Sequence, residues 1–291
     1  MLSIVLAIVA STSLNLVVSH VASKYTYNIA FVLLMVESLK LLLCSIGMRL
    51  ISNKNYFKIR WGFLVNALLY SVVNVLTHHI TILVPSSIYN VLIQHKILWV
   101  VIFSIIILKR HFSKIQYMSL ILILTGCILL KMTDTSSSIS NMGIILIVLQ
   151  GICSSLSSVW IEKMMKKEER CIISEDEKKQ KLYWFLNDSF QMYMFGIPVY
   201  IIGNYTTNIS TVDVPFHLYL LMILISVING MALGAIFVYY SSVVRSMISA
   251  IVIVFLSLHH GQFTLNIILG ISLVLLGILG WTYKRNDIVS K

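Results

Sequence analysis

Lys96 stands inside the apolar run YNVLIQHKILWVVIFSIIILKRHFSK, which extends from Tyr89 to Lys114. A cation followed by an apolar stretch as far as Leu108 cannot easily reach a membrane edge on that side. Holding it there costs about 2.5–3.5 kcal/mol on insertion scales, so something must compensate. A bound anion is one candidate. A wet cavity, or a partner carboxylate inside a helix bundle, is the other.

Further polar groups in apolar surroundings narrow the chemistry. Glu37 and Lys40 are three residues apart, share a helix face and are expected to pair, mainly as a structural ion pair. Tyr70 and Asn74 are four apart and also share a face. Their phenol and amide suit hydrogen bonds to a base or ribose, and equally suit helix–helix adhesion. Tyr89 and Lys96, two helical turns apart, fall on one stripe, with Gln94 near it and His95 about 100° from Lys96. Arg245 follows Tyr239, Tyr240, Ser241 and Ser242, and reads either as a membrane-edge anchor or as a second phosphate contact. Lysine and arginine facing one cavity suit a diphosphate. Tyr89 and Tyr193 suit stacking on a flat base. The combination points to an organic phosphate, with nucleotide-linked phosphates among the candidates.

No catalytic constellation emerges. The apolar segments offer no paired carboxylates, no HExxH and no GxSxG. His78-His79 and His259-His260 are adjacent pairs that cannot share a helix face, so no metal site is read there, and no cofactor is expected. The expectation is a protein that is not an enzyme.

The elements that must position these groups are membrane helices. The 291 residues are 58% hydrophobic and 11% charged, with mean hydropathy +0.90. Soluble domains carry about 25% charged residues. Ten apolar segments, near 2–21, 29–50, 62–83, 86–108, 115–132, 142–164, 183–203, 216–237, 240–260 and 263–283, approach the ~20 residues a helix needs to span. A membrane barrel would show short alternating strands instead. The first segment reads as a retained span, since no basic leader or small-residue cleavage site accompanies it. Cys44, Cys127, Cys153 and Cys171 have no metal or redox spacing and read as packing residues.

The net charge of +11 would fit nucleic acid, but its placement argues for topology instead. Even-numbered loops and the C-terminal tail hold 18 of the 22 Lys and Arg; odd-numbered loops hold Lys24 and Lys131. The positive-inside rule then places both termini in the cytosol. The sequons at Asn204 and Asn208 fall in an odd-numbered, lumenal loop, while that at Asn187 falls on the cytosolic side.

An internal duplication is also legible. Phe112-Ser113 and Gly126 recur as Phe263-Thr264 and Gly277, an offset of 151 residues that also sets Tyr240 against Tyr89. Five spans per copy is odd, so the second copy must be inverted, with a substrate site near the midplane at the repeat interface. The expected fold is all-α, ten transmembrane helices in two inverted five-helix repeats. The expected organisation is residues 1–164 (spans 1–5 and the start of the second repeat), a cytosolic linker at 165–182, spans 7–10 over 183–283, and a tail at 284–291.

Five stretches resemble one family, the nucleotide-sugar transporters of the drug/metabolite transporter superfamily. Glu37-Ser38-Leu39-Lys40-Leu41 resembles its E-x-x-K-L, and Tyr70 to Asn74 its Y-x-x-x-N. Tyr89 to Lys96 resembles Y-Q-V-T-Y-Q-L-K, the most specific of the five. Ser113 to Tyr117 followed by Gly126 resembles S-x-x-Q-W and a glycine. Cys153-Ser154, Glu162-Lys163 and Gln191-Met192-Tyr193 resemble its sixth and seventh spans. The chain departs from the pattern with His95 in place of a leucine, Asp188-Ser189 in place of Arg-Asn, and Ser241-Ser242 where acidic or amide residues are common.

The resemblance implies ten helices in a Golgi or ER membrane, and antiport of a cytosolic nucleotide sugar against a lumenal nucleoside monophosphate. It implies Lys96 on the phosphates, with Tyr89, Asn74 and Tyr193 lining the nucleotide site. Aligning Tyr239 with a family tyrosine puts Arg245 in the place of a phosphate-binding lysine, whereas the repeat offset singles out Tyr240. The substrate expected is a UDP-sugar, UDP-N-acetylglucosamine or UDP-galactose, exchanged for UMP. CMP-sialic acid, or a sugar phosphate, drug or other metabolite, is the alternative. Lipid surrounds the chain, and a homodimer is among the expected states.

Overall fold

The computed structural model describes residues 2–25, 28–52, 59–84, 86–130, 141–166, 176–206, 214–259 and 264–289. Among them every regular element is helical. In chain order these are α1 (Leu2–Lys24), α2 (Ile29–Ile51), α3 (Gly62–Leu83), α4 (Ser86–Leu92), a 3-10 turn (Ile93–His95), α5 (Lys96–Leu108), α6 (Lys114–Leu129), α7 (Asn141–Met165), α8 (Glu177–Thr206), α9 (Phe216–Tyr239), α10 (Ser242–His259) and α11 (Leu265–Val289). Six stretches are long and apolar enough to cross a membrane, and three shorter apolar helices lie at Gly62–Thr77, Lys114–Leu129 and Ser242–Leu258. The protein is a multi-pass α-helical membrane protein. The expected Asn208, Cys171 and Lys131 lie outside the described residues.

Local chemistry sets several helix ends. Asn28 caps α2 by accepting the Phe31 amide at 3.2 Å. Ser113 and Gln116 form a reciprocal capping box at the start of α6, with the Gln116 side chain 2.9 Å from the Ser113 amide. Lys109 ends α5 in the left-handed region at φ 52°, unusual for a residue with a side chain. Helix α8 begins ahead of the expected apolar span because EKKQK is rich in helix formers and pairs Glu177 with Lys181 one turn on.

The helices gather into two compact units. Unit 1 comprises Met1–Ser71 with Trp160–Ser241, and unit 2 comprises Val72–Val159 with Ser242–Lys291. In unit 1, α2 packs on α8 and α1 packs on α9. One apolar cluster joins Val21, Val32, Val36, Met222 and Val227, and another joins Cys44, Phe185, Leu186 and Tyr193. In unit 2, the core runs through Ile97, Val100, Leu120, Ile123, Met247, Ala250, Val274 and Trp281, drawn from α5, α6, α10 and α11.

The closest packing in unit 2 is α6 on α11. A Cβ on Gly126 would lie 2.7 Å from the Gly270 carbonyl and 2.8 Å from a Val274 methyl. A Cβ on Gly277 would lie 2.7 Å from the Ser119 carbonyl and 2.6 Å from Ile123. Glycine there lets backbones touch, the usual route to helix association in lipid. The contacts are also reciprocal: adding 151 to Ser119, Ile123 and Gly126 gives Gly270, Val274 and Gly277. Each member of one set meets the counterpart of another, as in a two-fold interface.

Candidate functional site

Lys96 opens α5 immediately after the 3-10 turn, and it is half-buried. Its carbonyl lies 2.9 Å from Ser155 Oγ on α7, which also lies 2.7 Å from the Gly151 carbonyl one turn back. One turn further along α7, Ser158 Oγ accepts from Arg245 Nη1 at 3.4 Å. Arg245 sits in the first turn of α10. Ser155 and Ser158, three residues apart, therefore draw the start of α5 and the Arg245 head to one face of α7. Among the described residues, no ion pair includes Lys96.

A second polar group lies in the same unit. The Gln150 amide of α7, 2% exposed, donates to Tyr89 Oη at 2.9 Å and to Thr77 Oγ1 of α3. Tyr89 is thereby tied to α7 through Gln150. Asn74, one turn before Thr77, is half-buried and has a polar partner of its own. Gln94 is buried in the 3-10 turn, with its amide 3.3 Å from the Asn90 carbonyl. Unit 2 thus holds Asn74, Tyr89, Gln94, Lys96 and Arg245 of the expected set.

Unit 1 holds the others. Lys40 Nζ lies 3.0 Å from Glu37 Oε1 and 5.1 Å from the Tyr193 ring centroid, giving a buried ion pair with a cation–π contact. Tyr193 is 1% exposed, enclosed with Cys44 and Phe185. Tyr70 and Tyr239 are 39% and 47% exposed.

Two ion pairs with fully buried carboxylates escaped the sequence reading. Arg60 Nη1 lies 2.9 Å from Asp188 Oδ1, its Nη2 donates to the Met164 carbonyl, and its amide donates to Gln191 at 2.8 Å. Lys166 Nζ lies 2.7 Å from Glu162 and donates to the Tyr240 carbonyl, where α9 ends. Asp188 and Glu162 are fully buried. Arg60 and Asp188 are 128 residues apart, so no helical period could join them. The signal available was a carboxylate at a position where the resemblance leads one to expect an arginine. Gln150, Ser155 and Ser158 also went unremarked, because amides and hydroxyls are common in membrane helices as simple adhesion. Among the described residues, no three His, Cys, Asp or Glu side chains gather as a metal site would require.

These features define a multi-pass helical membrane protein in which the Lys96 backbone and the Arg245 guanidinium meet one serine-bearing helix face. No protein-family model matches the chain. It is similar to CMP-sialic acid transporter 2 of rice, Oryza sativa, in both the indica and japonica subspecies. The two are 25% identical over 277 residues, covering 86% of this chain and 74% of the relative. It is also similar to CMP-sialic acid transporter 4 of Arabidopsis thaliana, 25% identical over 280 residues, covering 86% of this chain and 75% of the relative. The resemblance to nucleotide-sugar transporters carried by the motifs is thus shared by relatives named as such, along most of both lengths.

Proposed function

We propose that this protein is an alternating-access antiporter that exchanges a nucleotide sugar for a nucleoside monophosphate. Lys96 and Arg245 hold the phosphates in this reading, and Tyr89, Gln94 and Asn74 lie toward the nucleoside. The observation that carries it is the cationic locus of unit 2. Residues 72–159 and 242–291 hold nine Lys and Arg but only two acidic residues, Asp134 and Asp287, and both stand outside the apolar spans. Unit 2 therefore cannot neutralise Lys96 from its own spans, and a phosphate supplies the missing charge. An empty site leaves that charge uncompensated, which favours switching sides while loaded and so favours exchange over uniport.

The substrate proposed is a UDP-sugar, UDP-N-acetylglucosamine or UDP-galactose, with UMP as the returning species. A CMP-sugar exchanged for CMP is the second reading, favoured by the names of the relatives. Ten spans in two inverted five-helix repeats, with both termini cytosolic in a Golgi or ER membrane, complete the proposal. The reciprocal α6–α11 contacts at the 151-residue offset support the repeats. So does the packing of expected repeat mates within each unit: α2 on α8, α5 on α10, and α6 on α11.

Counterflow in proteoliposomes tests this directly. Vesicles loaded with UMP, CMP or GMP are offered labelled UDP- and CMP-sugars. Uptake should require one matching internal monophosphate and should vanish in Lys96→Ala. Folded wild-type protein that exchanges no nucleotide would overturn the proposal.

A further inference from the structure

We propose that His95 is a positioning residue that sets the direction of Lys96, by means of a tightened turn which Gly151 makes room for. In a regular α-helix the Leu92 carbonyl would accept the Lys96 amide, four residues on. Here that carbonyl faces the His95 imidazole, with Nδ1 at 2.6 Å. A carbonyl only accepts, so Nδ1 carries the proton. The Lys96 amide turns instead to the Ile93 carbonyl, three residues back, and Ile93–His95 winds as a 3-10 turn. The imidazole is a side-chain partner of the Leu92 carbonyl beside the His95 amide that a 3-10 turn brings to it, and it leaves the Lys96 amide to the Ile93 carbonyl.

The geometric consequence falls on the next residue. A 3-10 turn advances about 120° per residue against about 100° in an α-helix, so three such residues rotate the start of α5 by about 60°. Lys96, about 20° short of the Tyr89 direction in a continuous helix, is thereby turned to about 40° beyond it. The start of α5 is pinned in its new phase by Ser155, whose hydroxyl lies 2.9 Å from the Lys96 carbonyl.

The ring itself is seated against α7. A Cβ on Gly151 would overlap His95 Nε2 and Cε1, so the imidazole occupies the space that glycine leaves. Nε2 is enclosed there and, among the described residues, has no hydrogen-bond partner. A polar ring held at that cost, in a position where a leucine would seat an apolar side chain, is explained by what its other nitrogen does to the turn. His95 touches no ligand in this account. It acts through the Leu92 carbonyl.

The inference rests on Lys96 as the anion-binding cation, and two measurements separate its failure from failure of that reading. The first is calorimetric binding of UMP and of CMP to the detergent-purified full chain. His95→Leu should weaken binding of the recognised nucleotide about tenfold, as expected for a displaced charge-assisted contact, while leaving the melting temperature near that of the wild type. His95→Asn, whose amide can also donate to the Leu92 carbonyl, should restore binding to within about threefold. Gly151→Ala should mimic His95→Leu, and the double variant should be no worse than either, because both act through one turn. The second measurement needs no ligand. In a background free of native cysteines, a thiol placed by Lys96→Cys should react with a hydrophilic maleimide at clearly different rates with and without His95→Leu. Equal labelling rates, or wild-type nucleotide affinity in folded His95→Leu, would overturn the proposal. If the wild type binds neither nucleotide, the transport reading fails, while the labelling rates still decide the role of His95.

Discussion

The cations of the two units keep different company. In unit 1, Lys40, Arg60 and Lys166 lie within 3.0 Å of Glu37, Asp188 and Glu162, and each of these carboxylates is 8% exposed or less. In unit 2, the Lys96 carbonyl accepts from Ser155, Arg245 donates to Ser158, and the only acidic residues stand outside the spans. Unit 2 is instead held by backbone approach, glycine against glycine, where α6 crosses α11. The same residue types thus do two kinds of work. A cation neutralised within its own unit fastens helices. A cation left without a carboxylate costs stability, and in the proposed reading Lys96 offsets that cost by binding an anion.

Removing charges should divide the units accordingly. The largest effect on folding is expected from Asp188→Ala. It strands the Arg60 guanidinium beside the Met164 carbonyl, and breaking such a pair costs about 3–5 kcal/mol. Thermal unfolding in detergent should show a melting temperature well below wild type, with poor recovery of monodisperse protein. An unchanged melting point would mean that the unit 1 pairs are not fastenings, and the contrast between units would dissolve.

A smaller effect is expected where unit 2 depends on close approach. Gly126→Ala puts a methyl 2.7 Å from the Gly270 carbonyl, and relieving it must part α6 from α11, at about 1–3 kcal/mol. The melting temperature should fall by less than in Asp188→Ala. Gly277→Ala, its counterpart at the 151-residue offset, should match it. Unequal costs at the two glycines would argue against a symmetric crossing.

The all-helical, multi-pass character was legible in the sequence, because a bilayer forces apolar runs into helices. Ile29–Ile51, Gly62–Leu83 and Phe216–Tyr239 fall within a residue or two of the segments read from hydropathy. What was not legible depends on distant partners. The turn before Lys96 requires Gly151, 56 positions beyond His95, to clear space for a ring. The Arg60–Asp188 pair joins a residue just before α3 to one inside α8, and no period links them. Lys96 and the Glu37–Lys40 spacing were visible because a charge in an apolar run is conspicuous. Ser155, Ser158 and Gln150 were not, because only the packing of α7 gives them their neighbours.

The most direct test of the central claim is the melting temperature of the wild type and of Lys96→Ala, each with and without UMP and CMP. A ligand present at 100 times its dissociation constant adds about 2.7 kcal/mol to the folded state. The account expects one nucleotide to raise the wild-type melting temperature, and unliganded Lys96→Ala to melt at or above the wild type because an uncompensated charge has been removed. It expects neither nucleotide to shift that variant. A Lys96→Ala protein that melts far below the wild type, yet is still stabilised by the nucleotide, would contradict it and make Lys96 a structural residue like Lys40.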